Sequence, residues 1–115
     1  NGDYLSDAFA ALAGGIGISP GANINHESGL GLFEANHGSA EDIAGMDKAN
    51  PSSLILSGAM LFDFIGWKEA ASLMRAGVVK TIQSGNVPVD LHSQLKGSHL
   101  VGSADFGHLI IENMK

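Results

Sequence analysis

Residues 37–51, HGSAEDIAGMDKANP, separate two apolar segments and organise the interpretation of the whole chain. This central loop (His37–Pro51) holds three carboxylates, one lysine and two glycines. It ends in Asn50-Pro51, a dipeptide that predicts the start of a helix. Loops of this length inside compact domains are usually functional. We therefore interpret the central loop as a ligand-binding loop.

Composition excludes several classes of function. The chain has 115 residues, 44% of them hydrophobic, which is enough for one domain with a core. Its net charge of -6 argues against nucleic acid and against an anionic membrane surface, since both need a basic face. The absence of cysteine excludes disulfides and thiolate chemistry and fits a cytoplasmic protein.

No charged-then-apolar leader and no membrane-spanning apolar stretch is expected from the sequence. The chain opens Asn1-Gly2-Asp3 without a methionine, as a processed chain or a piece of a longer protein would.

Hydrophobic spacing and turn residues predict a mixed α/β domain. We expect helices over 5–13, 51–65, 67–84 and 103–114, a strand over 30–35, a turn-rich segment over 14–31 and an extended segment over 86–91. Pro20-Gly21 is the clearest predicted turn, and Gly85 the predicted end of the third helix. The helix over 51–65 is apolar nearly all round and should be buried.

The buried faces of the last two helices follow from the same spacing. In the helix over 67–84, we expect the buried face to hold Ala70, Leu73, Met74, Gly77, Val78 and Thr81. In the helix over 103–114, which Ser103 should cap, we expect it to hold Phe106, Leu109, Ile110 and Met114. One or two strands cannot cover this much apolar helix surface, so the chain should pack against more protein.

Two carboxylate pairs are candidates for chemistry. Asp3 and Asp7 share a helix face and suit Mg²⁺ or Mn²⁺, although the helix dipole also favours acids there, and spacing alone favours that second explanation. Glu41-Asp42 could accept hydrogen bonds from ribose hydroxyls and repel an extra phosphate, but a solvated loop tip is the commoner case.

Two other patterns are weak. Gly15, Gly17 and Gly21 have GxGxxxG spacing without strand–helix context, which indicates a tight turn rather than a Rossmann fingerprint. The five histidines are scattered and show no zinc-binding spacing.

Several segments, in order, carry a resemblance to a known family. They are NGDYLSDA (1–8), GGIGISPGANI (14–24), LFEANHGSAEDIAGMDKANP (32–51), ILSGAMLFDFIGW (55–67) and SADFGHLIIENM (103–114). Together they resemble the C-terminal part of bacterial-type isocitrate dehydrogenases, which are β-decarboxylating dehydrogenases. The resemblance covers essentially the whole chain, although the segment Asn25–Gly31 is longer than the family pattern.

The resemblance implies a fold and an activity. Residues 1–115 would be a single C-terminal segment of the large, cofactor-binding domain of an isocitrate/isopropylmalate dehydrogenase-like α/β fold, which is not a Rossmann fold. The enzyme would be a homodimer that converts isocitrate to 2-oxoglutarate with NAD and Mg²⁺ or Mn²⁺. Its catalytic lysine, tyrosine and substrate-binding arginines would lie in the missing N-terminal part or the partner subunit, so these residues alone should be inactive.

Two alternatives remain open at this stage. One is another β-decarboxylating dehydrogenase, acting on isopropylmalate or homoisocitrate. The other is a non-catalytic nucleotide-binding or assembly module.

The resemblance also assigns roles to individual residues. Asp3 and Asp7 match metal-binding aspartates. The cofactor-binding positions would be Glu34 near the nicotinamide, His37, Gly38, Ser39 and Ala40 at the start of the loop, Asp42 at the ribose, and Ile43 and Asn50 beside adenine.

Cofactor choice follows from four positions of this pattern. NADP-using members have lysine and tyrosine at 42 and 43, and tyrosine and arginine at 89 and 93. Asp42, Ile43, Val89 and Ser93 stand there instead, which predicts NAD rather than NADP.

Overall fold

The structure is a computed structural model that describes residues 20–36 and 40–115. Its elements in chain order are β1 (Pro20–Asn25), β2 (Leu30–Ala35), a 3₁₀ turn (Glu41–Ile43), α1 (Ser52–Phe64), α2 (Lys68–Gln83), β3 (Asn86–Val87), α3 (Val89–His92), β4 (His99–Leu100) and α4 (Ser103–Glu112). The mixed α/β class is confirmed. The helix predicted over 5–13 lies outside the described residues.

β1 and β2 form an antiparallel hairpin in which Gly21 faces Glu34. The turn predicted at Pro20-Gly21 is wrong, because Pro20 begins β1, where its missing N–H costs no ladder bond. A Cβ on Gly21 would come within 2.7 Å of the Glu34 carbonyl oxygen, so the glycine allows the backbones of β1 and β2 to approach closely. The chain reverses instead at residues 26–29, where Gly29 has a φ of 74°.

α1 is present where the apolar run predicted a helix, but the expectation of burial all round is wrong. Its buried residues are small: Ser52, Ser53, Ser57 and Ala59. Leu54 and Ile65, at the end of α1, are 59% and 61% exposed. The small side lies against the hairpin, where Ser57 binds strand backbone. Of the large apolar side chains, Ile55 and Leu56 pack against the core, whereas Leu54 is left outside.

α2 and α4 pack across each other and form the main core. Val78 from α2 and Phe106 and Ile110 from α4 are buried together. A Cβ on Gly77 would approach the Ile110 carbonyl oxygen within 2.6 Å, so a glycine permits this crossing. Phe106 and Ile110 are buried as predicted, whereas Leu109 and Met114 are half-buried.

The predicted buried face of α2 is correct only towards its C-terminal end. Gly77, Val78 and Thr81 are buried, but Leu73 is 50% exposed and Ala71 is buried in its place. Gly85 ends the helix with a φ of 87°, which confirms the predicted C-terminal glycine.

The segment 86–91 is extended as far as Pro88, and β3 within it pairs in parallel with β4. The prediction of an extended segment is wrong from Val89 onwards, where α3 begins. Pro88 precedes this helix, and its carbonyl oxygen accepts from the backbone N–H of Leu91 and His92. Among the described residues, no helix is long and apolar enough to cross a membrane.

Candidate functional site

The entry to the central loop is fixed by serines of α1. The backbone N–H of Asn36 donates to Ser53 Oγ at 2.9 Å. The backbone N–H of Gly21 donates to Ser57 Oγ at 3.0 Å, and that hydroxyl lies 2.7 Å from the Glu34 carbonyl oxygen. The end of β2 is therefore held against α1 at the point where the loop begins.

The first described part of the loop turns sharply. Ala40 has a φ of 47°, which is uncommon outside glycine, and its carbonyl oxygen accepts from the backbone N–H of Ile43 at 3.0 Å. Non-glycine residues in this conformation cluster at functional sites. In the 3₁₀ turn that follows, Glu41 and Asp42 are exposed and Ile43 is half-buried.

Asn50 fixes the exit of the loop and is only 8% exposed. Its Oδ1 accepts from the backbone N–H of Ser52 at 2.9 Å, so the predicted capping by Asn50 is confirmed. Its Nδ2 donates to the Asp90 carboxylate, 3.1 Å from Oδ2 and 3.4 Å from Oδ1. Asn50 thereby joins the loop to α3, the helix that carries Val89.

Asp47 fixes the loop at a second place. Its Oδ1 accepts from the backbone N–H of Ala104, and its carbonyl oxygen accepts from that of Ser103, both at 2.9 Å. Ser103 Oγ donates to the Ala49 carbonyl oxygen. The predicted cap of α4 at Ser103 is therefore wrong: Asp47 supplies the capping carboxylate, and Ser103 holds the loop instead.

Sequence reasoning missed both Asp47 and Asp90 as parts of the site. Asp47 lies 57 residues from Ala104 along the chain, and Asp90 lies 40 residues from Asn50. Capping signals in a sequence are local, so neither contact could be found from spacing.

The other residues assigned by resemblance fall into two groups. Ala40, Asp42, Ile43 and Asn50 lie along one loop, and Glu34 is exposed near the end of β2, the strand that leads into it. His37, Gly38 and Ser39, and the metal pair Asp3 and Asp7, lie outside the described residues. Their roles stay predictions.

The polar groups of the loop fit the adenosine half of a dinucleotide. Asp42 offers an exposed carboxylate that can accept from ribose hydroxyls, and the half-buried Ile43 offers an apolar surface beside it. No three histidine, aspartate or glutamate side chains of residues 20–36 and 40–115 lie together as a metal site.

A separate concavity lies between the hairpin and the two long helices. It encloses about 340 Å³ and is lined by Ile24, Phe33, Met60, Asp63, Phe64, Lys68 and Arg75. A hydrogen bond from Arg75 holds the pKa of Asp63 below its ordinary value, and desolvation opposes this in part. None of the described residues that the resemblance assigns to the cofactor lines this concavity, so it is separate from the candidate site.

Comparison with known proteins identifies the class of fold. The family described as isocitrate/isopropylmalate dehydrogenase matches residues 1–110. Isocitrate dehydrogenase from Methylococcus capsulatus is 42% identical with a TM-score of 0.79, over 98% of this chain and 32% of that one. A β-decarboxylating dehydrogenase from Thermococcus kodakarensis, in its apo form, is 42% identical with a TM-score of 0.76, over 98% and 31%.

The chain belongs to the isocitrate/isopropylmalate dehydrogenase family. Isocitrate dehydrogenase [NADP] of Streptococcus mutans is 52% identical over 111 residues, 96% of this chain and 28% of that protein. The protein of the same name from Archaeoglobus fulgidus is 49% identical over 115 residues, 100% of this chain and 27% of that protein. The chain thus spans about a quarter of the length of these relatives, and the resemblance seen in the sequence is confirmed.

Proposed function

We propose that residues 1–115 form the C-terminal segment of the large domain of an isocitrate dehydrogenase. In this proposal the central loop binds the adenosine half of a nicotinamide dinucleotide. The main support for this proposal is that hydrogen bonds fix the loop at three places. These are Ser53 at its entry, Asn50 at its exit and Asp47 between them. Three attachments to three helices give an exposed loop the defined shape that ligand recognition requires.

The complete enzyme would oxidise isocitrate and release CO₂ to give 2-oxoglutarate. When bound, the dinucleotide supplies the hydride acceptor and a divalent metal supplies a Lewis acid for the substrate oxygens. Asp3 and Asp7 would supply part of the Mg²⁺ or Mn²⁺ site, and the rest would come from outside this chain. Within this chain, the loop would orient the cofactor, with Glu34 towards its nicotinamide end.

The residues favour NAD over NADP. A 2′-phosphate beside the ribose would face the carboxylate of Asp42, next to that of Glu41, whereas ribose hydroxyls could donate to it. Val89 and Ser93, which are both exposed on or next to α3, offer the phosphate no positive charge. The alternative is NADP, because the Streptococcus and Archaeoglobus relatives are named as NADP enzymes.

Steady-state kinetics of the complete protein test both parts of the proposal. With isocitrate and Mg²⁺ in excess, we expect a higher kcat/KM for NAD than for NADP. A higher value for NADP would overturn the cofactor assignment and leave the reaction intact. Activity with isopropylmalate or homoisocitrate alone would identify another member of the family, and dinucleotide binding without any turnover would favour a non-catalytic module.

The double variant Asp42→Lys, Ile43→Tyr tests the residues responsible. We expect it to move the ratio of the two kcat/KM values towards NADP by on the order of tenfold, since a carboxylate is replaced by a cation at the ribose. The control is Glu27→Lys, which makes the same change of charge in the exposed hairpin turn. An equal movement in the control would mean that general electrostatics, not the loop, sets the preference.

A further inference from the structure

We propose that Asp47 is a positioning residue for the cofactor: by capping α4 it holds the central loop in its binding shape before the dinucleotide arrives. This inference rests on the proposed function of the loop. Asp47 bonds the backbone at the start of α4 and is not among the residues assigned to the cofactor, so its effect would act through the loop and not through contact with the reacting atoms.

The contact between Asp47 and the start of α4 provides hydrogen-bond partners for both segments. The first backbone N–H groups of a helix have no partner within it, and its positive end attracts a carboxylate. Asp47 Oδ1 accepts from the backbone N–H of Ala104, and the Asp47 carbonyl oxygen accepts from that of Ser103. Ser103 Oγ in turn donates to the Ala49 carbonyl oxygen, in the next part of the loop. Asp47 has a φ of 57°, a conformation that aspartate and asparagine tolerate better than most side chains.

Gly102 shows how closely the central loop approaches the start of α4. A Cβ at this position would lie 2.9 Å from Asp47 Cγ and closer still to Oδ2. The φ of Gly102 is -76°, which any residue can adopt. The glycine is therefore required by the approach of Asp47 and not by its own backbone conformation.

The contact connects an exposed loop to the core. The 3₁₀ turn at Glu41–Ile43 buries none of its residues, so its order depends on the attachments at either side. α4 is held in turn by Phe106 and Ile110, which are buried against α2. A loop that is ordered in advance loses less entropy when a ligand binds. Loss of the contact should therefore weaken dinucleotide binding more than it slows the chemical step.

Two substitutions of Asp47 in the complete protein separate the effect of its capping side chain from the effect of its backbone conformation. Asp47→Gly keeps the positive φ available and removes the acceptor, whereas Asp47→Asn keeps both. We expect Asp47→Gly to raise the KM for the preferred dinucleotide by roughly threefold to thirtyfold, the range that loss of a helix cap corresponds to. Its kcat and its KM for isocitrate should stay within about twofold, and Asp47→Asn should restore the wild-type KM.

Asp105→Asn is the matched control, because it removes an exposed carboxylate from the first turn of the same helix. It should leave every kinetic constant unchanged. Gly102→Ala should reproduce Asp47→Gly, and the double variant should be no worse than either single one, since both remove the same contact.

An unchanged dinucleotide KM in Asp47→Gly would overturn this inference while leaving the proposed function in place. So would an equal loss in kcat, or an equal effect of Asp105→Asn. A wild-type protein that reduces neither dinucleotide with isocitrate would overturn the proposed function, and the inference with it.

Discussion

Ser57 joins the hairpin to α1 through its hydroxyl group. The oxygen accepts from the backbone N–H of Gly21 and lies within hydrogen-bonding distance of the carbonyl oxygens of Glu34 and Ser53. Nearby Ser52 is equally buried, but its hydroxyl has no hydrogen-bond partner among the described residues. These two serines of one helix are equally buried and differ in whether the hydroxyl forms hydrogen bonds, which makes Ser52 a useful control for Ser57.

We expect Ser57→Ala to lower the free energy of unfolding by about 1–3 kcal/mol, because it leaves a strand N–H and a carbonyl oxygen without their partner. Ser52→Ala should be neutral or slightly stabilising, since it removes a buried hydroxyl that forms no bond. Denaturant unfolding of the complete protein measures both. Equal losses in the two variants would show that burial, and not the hydrogen bonds of Ser57, decides the effect.

At the scale of elements, Asp63 links α1 to α2. Arg75 donates a hydrogen bond to its carboxylate, and Lys68 Nζ lies 3.6 Å from its other oxygen. The hydrogen bond from Arg75 lowers the pKa of Asp63, so the folded state releases this proton more readily than the unfolded state does. The stabilisation is present above the unfolded pKa of about 3.9 and is lost as pH falls through the lower folded pKa.

We therefore expect Asp63→Asn to lower the thermal midpoint of the complete protein near neutral pH, with a difference from wild type that disappears in acid. The measurement is the midpoint of both proteins from about pH 7 to about pH 2, a window that passes through the unfolded pKa of about 3.9 and continues into the range of the lower folded pKa. Glu112→Gln, which removes an exposed carboxylate near the end of α4, should show no such pH dependence. A difference that persists unchanged in acid would exclude the ion pair as its cause.

The sequence predicts an element well where its signals are local. α2 has a helical apolar pattern and a terminal glycine, and α1 has Asn50 and Pro51 before it, so both were predicted within a few residues. β1 was missed because isoleucine is the only strand former among the six residues of PGANIN, and the segment is a strand through its pairing with β2. Contacts between distant parts of the chain also explain what was missed in the site. The loop residues were found by resemblance, but the bonds from Asp47 to Ala104 and from Asn50 to Asp90 leave no local signal in the sequence.

At the scale of the molecule, several large apolar side chains are exposed on and around the hairpin and α1. The exposed fractions are 69% for Leu30, 58% for Leu32 and 57% for Trp67, and Leu54 and Ile65 are similarly exposed. Large apolar side chains exposed on neighbouring elements favour a face that meets other protein. It agrees with the expectation that so few strands cannot cover these helices, and with a chain that spans about a quarter of its relatives.

This surface predicts how the 115 residues behave when they are produced alone. We expect the isolated chain to bind an apolar dye and to self-associate, as measured by fluorescence and sedimentation, because its apolar side chains stay in contact with water. The double variant Leu54→Lys, Ile65→Lys should reduce dye binding and raise the monomer fraction. Gln83→Lys with Ser93→Lys adds the same charge at exposed polar positions and controls for charge repulsion.

The comparison between the two double variants decides the cause. If both raise the monomer fraction equally, added charge explains the change and the apolar face is not responsible. If the isolated wild-type chain is monomeric and does not bind the dye, its exposed leucines and isoleucine are stable in contact with water. The physical reason for expecting this chain to pack against further protein is then removed. A response confined to Leu54→Lys, Ile65→Lys would locate the association surface on the exposed apolar side chains of α1 and its C-terminal end.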